Sequence, residues 1–355
     1  MAECLASLFP QAEIFTLLSS PRGLPAGLAG RKVHRSFLQR LPLAVTHHRH
    51  MMPLYPAAVE SLDLRGFDLV ISSDSGPVKG VRVDAGAIHI CYCHSPMRYL
   101  YDGYEAYRAE MGGLVRAIFS ITAGPLRSWD QQAATRVTYF LANSEYVAER
   151  IRRWYGRESK VIHPPIDLER ARSVDAHEGH YLCAGRLVGY KRTELLMGAC
   201  QRLGRTLRIA GTGPEETRLR RAGGVGTHFL GELSDEALWQ EYAGCRALLF
   251  AADEDFGMVP LEAQACGRPV ICYGAGGSLE TVRGDGPEAT GVYFAKQTEE
   301  AVMDAILRFE TRETEFQPEV ARRWAAEFGT PAFLERVREF VLERVPGAAE
   351  AMRAV

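Results

Sequence analysis

Short apolar runs alternate along this chain with segments whose apolar residues recur at helical spacing. Residues 14–18, 67–72, 87–92 and 137–142 predict a first series of strands. Residues 180–184, 206–210, 227–230, 247–250, 269–272 and 291–294 predict a second. Several of these runs are continuously apolar, the pattern of parallel strands covered on both faces. Between them, residues 145–153, 193–203, 234–243 and 299–309 read as helices. Strand and helix in alternation predict an α/β fold of doubly wound sheets, with strands enough for two.

The two series meet at His163-Pro164-Pro165-Ile166-Asp167 and a polar stretch that runs on to Gly179. Neither proline can continue a helix, and together they stiffen an extended connector. A chain of 355 residues is also too long for one ordinary core and suits two domains. The expected domains are 1–168 and 169–331, with a C-terminal helix at 332–355 rejoining the first.

Composition removes several classes. Hydrophobic residues at 46% and charged residues at 24% exclude disorder, collagen and coiled coil. A net charge of −2 argues against a nucleic-acid partner. No run of apolar residues is long enough to span a bilayer. The start, Met1-Ala2-Glu3-Cys4, lacks the basic and apolar regions of a signal peptide. The 8 cysteines are scattered, several in apolar segments (Cys183, Cys245, Cys266, Cys272), as buried free thiols in a reducing cytoplasm would be. Cys91-Tyr92-Cys93-His94 lies along a strand-like run, and no second CxxC or HxxxH completes four ligands. His47-His48-Arg49-His50 reads as a solvated loop, so no metal is expected. From Ile14 to Val59 there is no Asp or Glu, while Arg22, Arg31, Lys32, Arg35, Arg40 and Arg49 stand there with four histidines. That segment reads either as a basic, partly apolar surface for anionic lipid or a phosphorylated acceptor, or as solvated loop and helix. In the first reading, replacing residues 31, 32 and 35 by Ser weakens vesicle binding.

Two segments carry candidate chemistry. Glu254-Asp255-Phe256-Gly257-Met258-Val259-Pro260-Leu261-Glu262 follows the run at 247–250. Pro260 suits the first turn of a helix, which puts Glu254 in the loop before it and Glu262 on it. Gly257 permits a tight turn with exposed amides, and free N–H groups at a helix start attract an anion such as diphosphate. Two carboxylates beside such a site suit the hydroxyls of a sugar and a ribose. The second segment, Gly185-Arg186-Leu187-Val188-Gly189-Tyr190-Lys191-Arg192, follows the run at 180–184. It too sits at a strand's carboxyl end, where open α/β sheets bind ligands. Arg186 and Lys191 can converge there on a diphosphate. Taken singly, either cation is an ordinary exposed loop charge.

Taken together, Glu254-x7-Glu262 with Phe256-Gly257, Gly185-Arg186-Leu187 and Lys191-Arg192 resemble the retaining glycosyltransferases of family 4. Gly211-Thr212-Gly213-Pro214-Glu215 is similar to the family's glycine turn, and Gly231-Glu232-Leu233-Ser234-Asp235-Glu236 to the segment near its nucleotide base. Ala265 to Ile271 and Gly274 to Glu280 match the helix, strand and loop that follow. Cys91-Tyr92-Cys93-His94-Ser95-Pro96-Met97-Arg98-Tyr99 resembles the acceptor-domain segment of bacterial mannosyltransferase-like members. The resemblance covers nearly the whole chain. It implies the GT-B fold, two Rossmann-like domains facing across a cleft, with acceptor bound by the first and nucleotide sugar by the second. One departure stands out. Ala2-Glu3-Cys4-Leu5 reads as the early turns of the family's first helix, so the first strand and its glycine loop are expected to be missing. In a Rossmann-like order that strand is central, and its loss leaves neighbouring strands unpaired.

The resemblance further implies transfer of a hexose with retention, without metal. His94, Arg186, Lys191 and Glu254 are the expected catalytic groups. Gly185, Gly211, Gly213, Phe256, Gly257, Met258 and Glu262 are the expected donor-binding residues. The implied donor is GDP-mannose, with a UDP-hexose as the alternative. The implied acceptor is a saccharide or lipid-linked saccharide of polysaccharide or O-antigen type, at the inner face of the cell membrane. Glu254 binds sugar hydroxyls in this reading and is not a nucleophile. A glycosidase would share paired carboxylates but has no need of Arg186 and Lys191. A dehydrogenase would share the fold class, but Gly274-Ala275-Gly276-Gly277-Ser278 lacks the third glycine of GxGxxG. A non-catalytic sugar-nucleotide binder remains the reading from another class.

Overall fold

The computed structural model describes every residue except 20–23, 43, 47, 175 and 353–355, and the side chains of 48–50 and 110 are likewise outside the description. Arg22 and the His47-His48-Arg49-His50 side chains thus lie outside the described residues. The chain divides into two compact units, Met1–His163 with Leu334–Val355, and Pro164–Phe333.

Among the described residues unit 1 carries six short parallel strands. β1 (Ile14–Thr16) pairs with β2 (Val33–Arg35), and β3 (Leu69–Asp74), β4 (Ile88–Cys93), β5 (Tyr139–Ala142) and β6 (Ser159–Val161) form a sheet in the order β3-β4-β5-β6. Among the described residues no ladder joins β1 to β3. Phe15 of β1 instead stacks on His34 at 4.3 Å and meets Phe67 edge-on at 5.5 Å. The predicted opening helix is present at Ala2–Ser7. A long helix, Gly113–Arg136, covers one face of the four-stranded sheet through Ala134, alongside Val147, Ala148 and Ile151 of the helix Glu145–Tyr155. Phe340, from the C-terminal helix Thr330–Arg344, meets Tyr139 of β5 edge-on at 5.9 Å.

The basic segment is largely committed to this unit. The Arg31 guanidinium donates to the carbonyls of Ala6, Phe9 and Ala12 at 2.8–3.1 Å. Lys32 pairs with Glu13 at 3.0 Å, and Arg35 Nε donates to Ser19 Oγ at 2.6 Å. Arg31 therefore braces the N-terminal helix and is unsuited to a free lipid contact. Lys32 and Arg35 stay exposed, so of these three cations Arg31 alone is taken up by the fold.

Behind β3 and β4 lies a charged core. Lys79, Asp74 and Asp130 are all fully buried. The Lys79 ammonium pairs with Asp130 and, at 3.2 Å, with Asp74. Tyr101 and Tyr155 each donate to Asp130 Oδ2 at 2.8 Å, and the amides of Gly76 and Val78 donate to Asp74 Oδ1 at 3.0 Å. Burial pulls the ammonium's pKa down, but the two carboxylates more than offset that, and it is held well up. Removing one member of such a buried set leaves an uncompensated charge, at about 3–5 kcal/mol.

Unit 2 is a single six-stranded parallel sheet. Its strands are β7 (Tyr181–Ala184), β8 (Leu207–Ala210), β9 (Thr227–Gly231), β10 (Ala247–Phe250), β11 (Val270–Tyr273) and β12 (Gly291–Phe294). Their order is β12-β11-β10-β7-β8-β9. β7 and β10 are buried at every position, with successive side chains pointing to opposite cores. Tyr181 and Cys183 face Leu196, Val302 and Phe309; Leu182 and Ala184 face Tyr242, Leu261 and Phe328. Ser234 and Thr298 cap their helices by accepting from Ala237 and Ala301. Ile166 donates to the Phe328 carbonyl at 2.9 Å, which holds the connector after Pro164 to this unit.

His89 of β4 gives unit 1 a pH dependence. It is fully buried, its Nε2 lies 2.9 Å from Ser72 Oγ, and its Nδ1 has no partner among the described residues. Burial, aided by Arg136, pushes its pKa down to about 4 from 6.5. Between those values the unfolded chain binds the proton that the folded one refuses, so stability falls as pH falls through that window. From pH 7 to pH 5 the loss from this group is about 2 kcal/mol. Urea unfolding at both pH values checks this: His89→Gln should remove most of that difference, and an unchanged difference would contradict the assignment.

Candidate functional site

In unit 2 the chain leaves the sheet in opposite directions after β7 and β10, although these strands are neighbours. Such a switch point opens a crevice at the strands' carboxyl ends. The loop after β7 carries Gly185 to Arg192, and the loop after β10 carries Ala251 to Gly257. The two segments singled out in the sequence are therefore side by side.

Their central contact is an ion pair. Lys191 Nζ lies 2.8 Å from Glu254 Oε1, with both side chains largely shielded. Burial lowers the Lys191 pKa, but the Glu254 carboxylate outweighs it and the net shift is upward. The ammonium also sits 5.9 Å over the Phe250 ring at the end of β10. Arg186 is exposed and pairs with no carboxylate among the described residues. Lys191 and Arg186 thus differ: one cation is fixed by a carboxylate, the other is available.

Backbone close to backbone shapes the rest. Gly211 adopts φ +125°, and a Cβ there would stand 2.1 Å from the Gly185 carbonyl oxygen. Gly213 similarly approaches the Leu187 carbonyl, and Leu187 donates to Thr212 at 2.9 Å, so the turns after β7 and β8 are stitched together. Gly257, at φ +93°, is the cap residue from which the helix Met258–Ala265 starts, and Pro260 falls in the first turn. The first amides of that helix have no partner within it, which gives the loop an anion-attracting end. Phe256 is buried against Phe328, and Met258 is exposed.

Glu262 sits one turn into this helix, partly buried, and accepts from the Tyr242 hydroxyl at 2.8 Å. Burial raises its pKa despite that hydrogen bond. Tyr242 belongs to the helix Asp235–Gly244 and meets Trp239 edge-on at 5.7 Å. Trp239, Arg170, Arg172, Asp235 and Glu236 line a cavity of about 420 Å³. Arg170 pairs with both Asp167, at 2.8 Å, and Asp235. So Glu262 is linked through Tyr242 and Trp239 to a polar hollow that the sequence did not indicate.

His94 belongs to unit 1, directly after β4. Its Nε2 is 2.8 Å from Ser73 Oγ at the end of β3, its amide donates to the Asp74 carbonyl at 2.7 Å, and Asn143 Nδ2 donates to its carbonyl at 3.0 Å. The buried Lys79–Asp74–Asp130 set thus holds the strand end on which His94 rests. Cys91 and Cys93 are fully buried in the core of unit 1, and burial pushes both thiols up.

Two Rossmann-like α/β units with parallel sheets are the architecture of the GT-B class. Glycosyltransferase Family 4 matches residues 1–170, and Glycosyl transferases group 1 matches residues 168–327. The chain therefore carries both domains of a GT-B glycosyltransferase of the group 1 and family 4 type. Among curated relatives, the lipopolysaccharide core biosynthesis mannosyltransferase LpsB of Rhizobium meliloti is 31% identical over 44% of this chain and 49% of its own. The chain spans about half the length of the curated relatives it matches. Sucrose-phosphate synthase from Thermosynechococcus elongatus superposes with a TM-score of 0.71 at 17% identity, over 96% of this chain and 90% of that one. Anabaena HepE in complex with UDP and glucose superposes with a TM-score of 0.67 at 16% identity, over 97% and 96%.

Three side chains around the predicted residues escaped sequence reasoning: Ser73, Tyr242 and Lys79. Ser73 stands in the run Ser72-Ser73-Asp74-Ser75, and nothing in that run shows which serine meets His94. Tyr242 lies 20 residues before Glu262 on another helix.

The stitched glycine turns yield a stability prediction. Gly211→Ala forces Cβ into the Gly185 carbonyl and should destabilise unit 2 by about 2–3 kcal/mol or more. Gly286→Ala, at φ +83° in open space, should cost about 1 kcal/mol. Denaturant unfolding of both variants checks the pair; equal losses would contradict the close packing of the two loops.

Proposed function

We propose that the chain transfers a hexose from a nucleoside diphosphate sugar to a saccharide acceptor, with retention at the anomeric carbon and without a metal ion. The observation that carries this reading is the Lys191–Glu254 pair at the switch point, with Arg186 available beside it and a helix start at Gly257. Departure of the nucleoside diphosphate builds negative charge on the leaving phosphate. Arg186, Lys191 and the amides after Gly257 neutralise that charge, and preorganised donors of this kind are worth about 10²–10³ in rate each. Glu254 accepts from sugar hydroxyls and, by gripping Lys191, holds the ammonium where the phosphate arrives. Glu262 accepts from ribose hydroxyls, with the nucleoside running toward the hollow at Trp239. The anomeric C–O bond breaks with its electron pair leaving on the phosphate oxygen. The acceptor hydroxyl bonds to the same face of the anomeric carbon and gives its proton to the leaving phosphate. His94 acts on the acceptor side as a hydrogen-bond partner of a sugar hydroxyl.

GDP-mannose is the proposed donor, supported by the likeness to a mannosyltransferase. A UDP-hexose is the second reading, favoured by the likeness to HepE bound to UDP and glucose. The proposed acceptor is a lipid-linked saccharide at the cytoplasmic face of a membrane, in polysaccharide or O-antigen-type synthesis.

Thermal unfolding with GDP, GDP-mannose, UDP and UDP-glucose tests the donor. A ligand at 100 times its Kd should add about 2.7 kcal/mol, and one base should stabilise far more than the other. Arg186→Ala should keep the wild-type unfolding transition, Glu254→Ala should lower it by leaving Lys191 without its carboxylate, and both should stay folded and lose transfer by at least about a hundredfold. Near-wild-type turnover in either variant would defeat the assignment, and stabilisation without transfer or slow donor hydrolysis would favour a non-catalytic sugar-nucleotide binder.

A further inference from the structure

Among the described residues the hydroxyl of Tyr242 has one hydrogen-bond partner, the Glu262 carboxylate. The tyrosine has no exposed surface. Its ring sits among Leu182, Leu248 and Leu261, with Trp239 edge-on to it. The helix that carries it, Asp235–Gly244, is pinned at its start by the Ser234 cap. A hydroxyl buried among apolar side chains costs free energy unless it is bonded. A phenylalanine would fill the same core volume without that requirement. The bond that satisfies the hydroxyl runs 2.8 Å to Glu262 Oε2, and a neutral donor on a carboxylate makes a strong, directional contact.

The carboxylate needs such a partner. Its helix, Met258–Ala265, starts from a fixed turn at Gly257, but a glutamate keeps several rotamers on a fixed backbone, and its terminal torsion is broad. Three charged groups on other elements act on Glu262 through space: Lys191 and Arg170 favour the carboxylate, and Asp235 opposes it. Both cations are committed elsewhere. Lys191 pairs with Glu254 at 2.8 Å, and Arg170 pairs with Asp167 and Asp235. Tyr242 is thus the group that sets the direction of Glu262 among the described residues. It occupies one acceptor position on Oε2. Oε1 and the second lone pair of Oε2 stay open as acceptors. A ribose presents two adjacent hydroxyls, and one carboxylate can accept from both only when its plane is held.

We propose that Tyr242 is a positioning residue: by holding Glu262 Oε2 it presents the carboxylate to the ribose hydroxyls of the donor nucleotide and makes the site prefer a ribonucleotide to its deoxy forms. The proposal rests on the reading of Glu262 as the ribose acceptor and adds the group that aims it. A side chain already held in its binding rotamer loses less freedom when the ligand arrives. The hydroxyl touches no substrate in this account and acts through Glu262 alone.

Calorimetric titration of the full chain with GDP, UDP and the 2′-deoxy and 3′-deoxy forms of each tests this. The wild type should bind its ribonucleotide at least about tenfold tighter than one of the deoxy forms. Tyr242→Phe keeps the core shape, should stay folded, and should cut that preference by about fivefold, with the deoxy form bound nearly as before. Glu262→Ala should abolish the preference, and adding Tyr242→Phe to it should change nothing further, because the two groups act as one unit. Tyr181→Phe is the control. Tyr181 is equally buried, and its hydroxyl donates to Glu310 at 2.9 Å from the opposite, amino end of β7, so its loss should leave the ribose preference intact. A wild-type preference in Tyr242→Phe, with the preference lost in Glu262→Ala, would overturn the role of Tyr242 and keep the ribose reading of Glu262. An equal loss in Tyr181→Phe would also overturn it, since the effect would then be general loosening of unit 2. A preference that survives Glu262→Ala would remove the ribose reading itself, and the role of Tyr242 with it.

Discussion

Strands β7 and β10 lie against each other while the chain runs away from them on opposite sides, and this reversal decides where unit 2 can do chemistry. Both strands are buried at every position, so their carboxyl ends are fixed to the precision of a packed core. Each end delivers one charged group, and Lys191 meets Glu254 at 2.8 Å across the reversal. A shielded ion pair is weak evidence for stability. In the proposed reaction its value is positional: it holds a cation beside a helix start and an available guanidinium. The glycine turns follow from the same constraint, because loops on adjacent strands can share one crevice only by touching backbone to backbone, as Gly211 touches Gly185.

Unit 1 solves a related problem with buried charge. His94 hangs from the end of β4 and is gripped by Ser73 and by the Asp74 carbonyl of β3. Asp74 is in turn clamped by a lysine with no exposure at all. A hydrophobic residue at 79 could pack there but could not fix the β3 end through a carboxylate.

Much of the fold was legible because its long strands are apolar on both faces. All ten predicted runs overlap observed strands, and residues 193–203 form a helix with the predicted bounds. β2 and β6 were missed: three residues such as Val33-His34-Arg35 carry no periodicity. The long helix Gly113–Arg136 was missed because Gly112-Gly113 and Pro125 punctuate it, and because its first turns are apolar without a core to face. At the site, the motifs brought Arg186, Lys191, Glu254 and Glu262 to one sheet end, as spacing after strands can. The direct pairing of Lys191 with Glu254, the Tyr242 hydroxyl on Glu262 and the Ser73 contact with His94 depend on side-chain directions between elements distant in sequence. The Lys79 triad could not be read, since a lone lysine between Val78 and Gly80 looks like any solvated loop charge.

The central claim is that Lys191 meets phosphate and Glu254 meets sugar. Calorimetric titration of Lys191→Met and Glu254→Gln, with GDP against GDP-mannose and UDP against UDP-glucose, separates the two roles. The account predicts that Lys191→Met weakens the diphosphate and its sugar nucleotide alike, by about tenfold or 1.4 kcal/mol. Glu254→Gln should weaken the sugar nucleotide and leave the bare diphosphate nearly unchanged. Equal losses for both ligands in Glu254→Gln, or wild-type affinities in Lys191→Met, would contradict it.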